Sequence, residues 1–171
     1  MHTSLLKKSA RGFTLIETVV YLGLFAIIMG GAVVTSYDVF ESSGRNQTRA
    51  LLEVEGGFLV AKIGWAVSGA QAVNLPAVGT IGSLLSVTKW DVSIGTVTVG
   101  LSGNDMIIAR SGNPSQVLNN TNVVVENLLF THAYGGGVNP ESVQVSFRIR
   151  ARDPRGAMLS QDFSNVLYLR R

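Results

Sequence analysis

The sequence predicts an α+β protein in which one long N-terminal helix packs on a C-terminal antiparallel β-sheet head, and three patterns in its 171 residues predict it. Residues 18–37 form a run of 20 without a charge. Leu52, Leu59, Ile63 and Val67 recur at spacings of 7, 4 and 4, as one apolar stripe of a helix does. Val143, Val145, Phe147, Ile149 and Ala151 then alternate with Gln144, Ser146, Arg148, Arg150 and Arg152, the period of two of a half-buried strand. With 46% hydrophobic and 15% charged residues, the composition excludes a disordered chain.

The first helical segment reads as a membrane span. Between Arg11 and Asp38 the only charged residue is Glu17, and the 20 uncharged residues after it, at about 1.5 Å each, cover the roughly 30 Å of a bilayer's hydrocarbon. Three of the 14 Lys and Arg (Lys7, Lys8 and Arg11) precede it, and the rest balance the 11 acidic residues. The sequence pI near 9.5 therefore reflects a basic leader rather than a basic body. By the positive-inside tendency the N-terminus stays in the cytoplasm and the head lies outside it. A cleaved secretory signal has a shorter apolar core of about 7 to 15 residues ending in small residues. Here Gly30-Gly31-Ala32 is followed by more apolar helix, so a retained anchor is the better reading.

Glu17 is out of place in this run, because a carboxylate in hydrocarbon costs a few kcal/mol, roughly, unless a cation neutralises it. It closes the string Arg11-Gly12-Phe13-Thr14-Leu15-Ile16-Glu17, with a short basic leader before and a long apolar helix after. This string resembles the prepilin processing site of the type IV pilin superfamily, which includes pilus subunits, competence pilins and the pseudopilins of type II secretion. The resemblance covers about the first forty residues. It implies that a prepilin peptidase cuts between Gly12 and Phe13 and methylates the new amino terminus of Phe13. It also implies that Glu17, the fifth mature position, neutralises that ammonium on a neighbouring subunit during assembly. Before cleavage, the leader cations hold the chain in the membrane, since moving them through hydrocarbon is prohibitive. Many pilus subunits carry a helix-bending proline in the apolar run; here Gly30-Gly31 stands there, read either as a point of melting or as close helix packing.

Beyond residue 37 the helix is expected to continue as an amphipathic segment, with Phe58 and Ala66 beside its apolar stripe and Glu41, Arg45, Arg49 and Glu53 on a solvated face. Ser42-Ser43-Gly44 and Gly56-Gly57 are expected weak points. Residues 68–82, with Gly69, Pro76, Gly79 and Gly82, read as a loop. Strands follow at residues 96–101 and 104–110, one or two within 123–134, and a hairpin from 143–151 through Asp153-Pro154-Arg155-Gly156 to a return strand near 166–169. The expected organisation is a leader at 1–12, an anchor and assembly helix at 13–37, its amphipathic continuation at 38–70 and a β-rich head at 71–171. The resemblance implies the same pilin-like architecture. A head of this size with no Cys is most like a minor pilin or a minor pseudopilin.

No enzyme chemistry is legible. With no Cys and two His, neither a disulfide framework nor the usual zinc sets can form, and no metal or cofactor is expected. His132 sits in a Leu128, Phe130, His132, Tyr134 alternation and reads as a sheet-face or strand-end residue. The glycines at 135–137 lack the lysine and helix of a phosphate loop. Arg148, Arg150 and Arg152 share one strand face, with Arg155 in the turn and Arg170 and Arg171 at the end. They form the one candidate patch for an anionic partner, such as DNA at a pilus tip; the plainer reading is a solvated face of ordinary ion pairs. The leading expectation is a non-enzymatic filament subunit whose partners are a prepilin peptidase, other pilin or pseudopilin subunits and inner-membrane lipid. A membrane-anchored extracytoplasmic binding module is the alternative, nucleic acid being its less favoured partner.

Overall fold

A computed structural model describes residues 12, 14–136 and 140–169. The expected leader cations, Phe13, the end of the glycine loop and the last two arginines lie outside the described residues. The helix α1 spans Leu15–Val67, and among the described residues nine strands follow: β1 Ala70–Leu75, β2 Ile81–Gly82, β3 Leu85–Lys89, β4 Thr96–Ser102, β5 Asp105–Arg110, β6 Gln116–Val117, β7 Val123–Ala133, β8 Ser142–Arg152 and β9 Met158–Tyr168. By its contacts the chain divides into two compact units, the first ending at Ser43 and the second starting at Gly44.

The first unit is the apolar half of α1. Its 18-residue core has a mean hydropathy of 2.1 with none of it buried, so by length and composition it can cross a membrane. Gly30 and Gly31 sit inside regular helix with open space where a Cβ would stand.

The second unit packs the rest of α1 with two antiparallel sheets, β1-β3-β4-β5-β6 and β2-β7-β8-β9. Every pair in both sheets is antiparallel. The stripe read from the spacing is buried as expected: Leu52, Leu59, Ile63, Ala66 and Val67 are all at most 1% exposed and join one core with both sheets. Phe58 departs from it, pointing outward at 42% exposure. The helix also runs unbroken through both expected weak points. Gly56 marks a close approach, not a break, because a Cβ there would overlap the Phe163 ring of β9. That ring stacks on Phe147 of β8, centroids 5.4 Å apart. Arg45, expected in solvent, instead reaches the β8–β9 turn, with Nε 3.7 Å from Asp153 Oδ2, while Gly44 abuts Pro154.

Residues 68–82 correct the sequence reading. The glycines and proline there punctuate two edge strands rather than one loop. Gly69, at φ +67°, turns the chain from helix into β1, which pairs with β3 through two register shifts. The strand is hard to read because its sequence, AQAVNL, exposes most of its side chains. The region 123–134 is a single strand, bent where the register slips between Glu126 and Leu129 and Asn127 takes φ 55°. The final hairpin is as read, except that its return strand is longer, pairing Arg152 with Met158 through to Ser142 with Tyr168. Asp153 shapes its turn: Oδ1 accepts from the Arg155 and Ala157 amides at 2.9 and 2.8 Å.

Candidate functional site

The start of α1 is built by its own sequence. Thr14 caps it, Oγ1 accepting the Glu17 amide at 3.3 Å, and Thr-x-x-Glu is the spacing of a capping box. The cap places Glu17 in the first turn, where its carboxylate complements the positive end of the helix dipole. Its Oε1 accepts the Tyr21 hydroxyl at 3.4 Å, one turn on. Among the described residues no cation pairs with it, so the carboxylate keeps acceptor capacity for an amine. Gly12, next to the expected scissile bond, is exposed.

The arginine face of β8 is arranged as the alternation predicts, with Arg148 and Arg152 exposed and Arg150 half-buried. Arg148 sits opposite Glu126 on β7 and Asp162 on β9. It grips Asp162 with two hydrogen bonds, Nε to Oδ1 at 2.7 Å and Nη2 to Oδ2 at 3.0 Å. That hydrogen bonding holds the Asp162 carboxyl below the usual carboxylate range and raises the guanidinium in turn. Arg150 Nη1 donates to Glu126 Oε1 at 2.9 Å. Two of the four candidate arginines are thus committed to carboxylates on the neighbouring strands. Arg155 lies in the turn, exposed, its amide bonded to Asp153.

Residues 7–33 match the family described as Prokaryotic N-terminal methylation motif. The match covers the N-terminal segment alone, and there it supports the likeness to the prepilin-type N-termini of the type IV pilin superfamily. The matched segment contains Gly12, Phe13, Thr14 and Glu17 and the first half of the apolar run. No curated protein and no solved structure matches the chain. The motif implies processing by a prepilin peptidase and assembly with other pilins, in a family whose role is structural. A long apolar helix behind it is consistent with a membrane-anchored pilin.

Three polar residues hold this pilin-like head together in ways that spacing alone did not reveal. Lys89 of β3, 6% exposed, donates through Nζ to the carbonyls of Trp65, at 2.6 Å, and Ser68. Helix α1 has no basic residue in its last turn, so Lys89 brings a cation to its negative end from across the fold. Burial pushes its amine below the ordinary lysine range. His132, 1% exposed, sets Nδ1 2.9 Å from the Pro76 carbonyl and Nε2 2.8 Å from Glu141 Oε1. It ties β7 to the β1–β2 connection and the start of β8, a structural clamp. Asn119 opens the asparagine-rich segment Asn119-Asn120-Thr121-Asn122 but is buried, accepting the Met106 amide at 2.7 Å and donating to the Val123 carbonyl at 2.7 Å. It joins the two sheets. A buried polar residue in a loop carries no periodic signal, which is why pattern reading missed it.

Proposed function

We propose that the chain is a structural subunit of a type IV pilus-like filament or a type II secretion pseudopilus, a minor pilin or minor pseudopilin. The observation that carries it is a capped Glu17 in the first turn of an exposed apolar helix, within a segment that matches the methylation motif. In this reading a peptidase cuts between Gly12 and Phe13, and the methylated ammonium of Phe13 retains its charge. Glu17 of an adjoining subunit then neutralises it in a low-dielectric bundle, where an unpaired charge would be prohibitive. Residues 13–37 form the anchor and assembly helix, residues 38–70 its continuation, and residues 71–171 the head, which lies outside the cytoplasm. The head's size and lack of Cys support a minor subunit. The pairing of Arg148 and Arg150 supports a sheet-bracing role for the arginine face over an anion-binding one.

Replacing Glu17 tests the reading. Expressed with its peptidase and partner pilins, Glu17→Gln should be processed and held in the membrane yet be missing from the sheared filament fraction. Normal incorporation of that variant would overturn the role given to the carboxylate.

A further inference from the structure

The C-terminal part of α1 and the β5–β6 edge leave a hollow of about 360 Å³ between them, lined by Phe58, Trp65, Ile108 and Leu118, with Lys62 and Arg110 as its charged residues. A second hollow of about 360 Å³ shares Ile108, Arg110 and Gln116 with the first and reaches Asn113 and Pro114. The two form one groove with Arg110 at its middle. No acidic residue among the described ones lines either hollow. None of the ion pairs among the described residues involves Lys62 or Arg110. Both are laid on rings instead. Lys62 Nζ lies 5.3 Å from the centre of the Phe58 ring and the Arg110 guanidinium 4.8 Å from that of Trp65, to which the Lys89 amine comes within 4.7 Å. A guanidinium stacked on a ring still presents the N–H donors in its own plane, in the fork that matches a carboxylate. Three cations thus converge on one small, largely apolar space, which makes its potential positive. Beside them runs β6, the last strand of its sheet, with no strand on its outer side.

We propose that this groove binds an extended peptide segment carrying a carboxylate side chain beside apolar ones. The carboxylate meets Lys62 and Arg110, the apolar side chains meet Phe58, Ile108 and Leu118, and the backbone follows the open edge of β6, as a peptide added to a sheet does. An anion is the complement because the groove gathers cations and has no acid of its own. It comes from another molecule, since the described acids lie outside the groove and residues 1–11, 13, 137–139, 170 and 171 include no Asp or Glu. A peptide is favoured over nucleic acid because cations already lie over both rings, where a base would have to stack. The groove is separate from the N-terminal motif, and the inference does not rest on the filament reading.

Fluorescence anisotropy of a labelled hexapeptide alternating leucine with glutamate tests the site, titrated with the full chain in a neutral detergent at low salt, with micelles alone as the blank. The same peptide with glutamine for glutamate should bind about tenfold more weakly, and so should the glutamate peptide to Arg110→Gln or Lys62→Gln. Ala61→Phe, at an exposed position in the first hollow, should fill it and block binding with every cation left in place. Arg152→Gln, at an exposed arginine of β8, should leave binding unchanged. All four positions are exposed, and matching thermal melts verify that each head stays folded. Equal affinity for the glutamate and glutamine peptides, or undiminished binding by Arg110→Gln and Ala61→Phe, would overturn the site. Competition by acetylated glutamate as strong as that of the hexapeptide would overturn the extended segment. An oligothymidylate that binds more tightly than the peptide at the same salt would overturn the choice of a peptide.

Discussion

Lys89 does for the end of the helix what Thr14 does for its start. Each satisfies backbone groups that have no intrahelical partner, Thr14 the Glu17 amide and Lys89 the carbonyls of Trp65 and Ser68. The Thr14 cap is local, Thr-x-x-Glu lying within four consecutive residues, whereas the partners of Lys89 lie 24 and 21 positions away, beyond the reach of any local pattern. Lys89→Met keeps the stem but leaves those carbonyls unpaired, and should cost about 1–3 kcal/mol of head stability. Denaturant unfolding of the full chain in detergent, followed by the fluorescence of Trp65 and Trp90, checks this. The Arg148–Asp162 pair makes a pH prediction. Asp162 is exposed and its folded pKa is depressed, chiefly by its hydrogen bond to Arg148. The pair's stabilisation is therefore present above the usual carboxylate range and lost as pH falls through the folded value. A carbon-detected NMR titration should place the Asp162 midpoint below that of an unfolded reference peptide, and Arg148→Ala should return it upward.

At the scale of elements, two adjacent glycines on one helix have opposite meanings. Gly56 faces the Phe163 ring, whereas Gly57 faces open space. Gly57→Ala should stabilise the head by about 0.5–1 kcal/mol through helix propensity alone. Gly56→Ala gains the same propensity but forces the ring aside, and should cost a net 1–3 kcal/mol, roughly, as overpacking does. Adding Phe163→Leu to Gly56→Ala should recover part of that loss, and a thermal melt of each variant reads the ranking. The sequence shows both residues only as helix breakers, because the reason for Gly56 sits on β9, about a hundred residues later. The same contrast runs through the sheets. β8 is legible because its burial alternates perfectly with its polarity. β1 and β6 are not, since an edge strand with mostly exposed side chains has no apolar rhythm to read. Asn119→Ala belongs to this scale too, since it removes the hydrogen bonds that join Met106 to Val123 across the sheets. It should cost about 1–3 kcal/mol and lower the unfolding midpoint accordingly.

For the whole molecule, the division of labour follows the distribution of charge. The apolar half of α1 buries nothing among the described residues, which is consistent with a membrane anchor. The head is a packed core of helix and two sheets. The α+β arrangement was legible because a charge-free run, a helical stripe and a strand alternation each persist over several turns or residue pairs. The split into two sheets was not, since sheet membership is set by pairings between distant segments, such as β2 with β7. The methylation motif was legible because it is local: six consecutive residues from Gly12 to Glu17 lie within the matched segment, and the proposed cut and counter-charge both fall among them. The most direct test of that claim is the intact mass and N-terminal sequence of the chain purified from membranes that contain a prepilin peptidase. The account predicts a chain that begins at Phe13 and is one methyl group heavier than the trimmed sequence. A chain that keeps residues 1–12 under those conditions, or is cut anywhere but after Gly12, contradicts it.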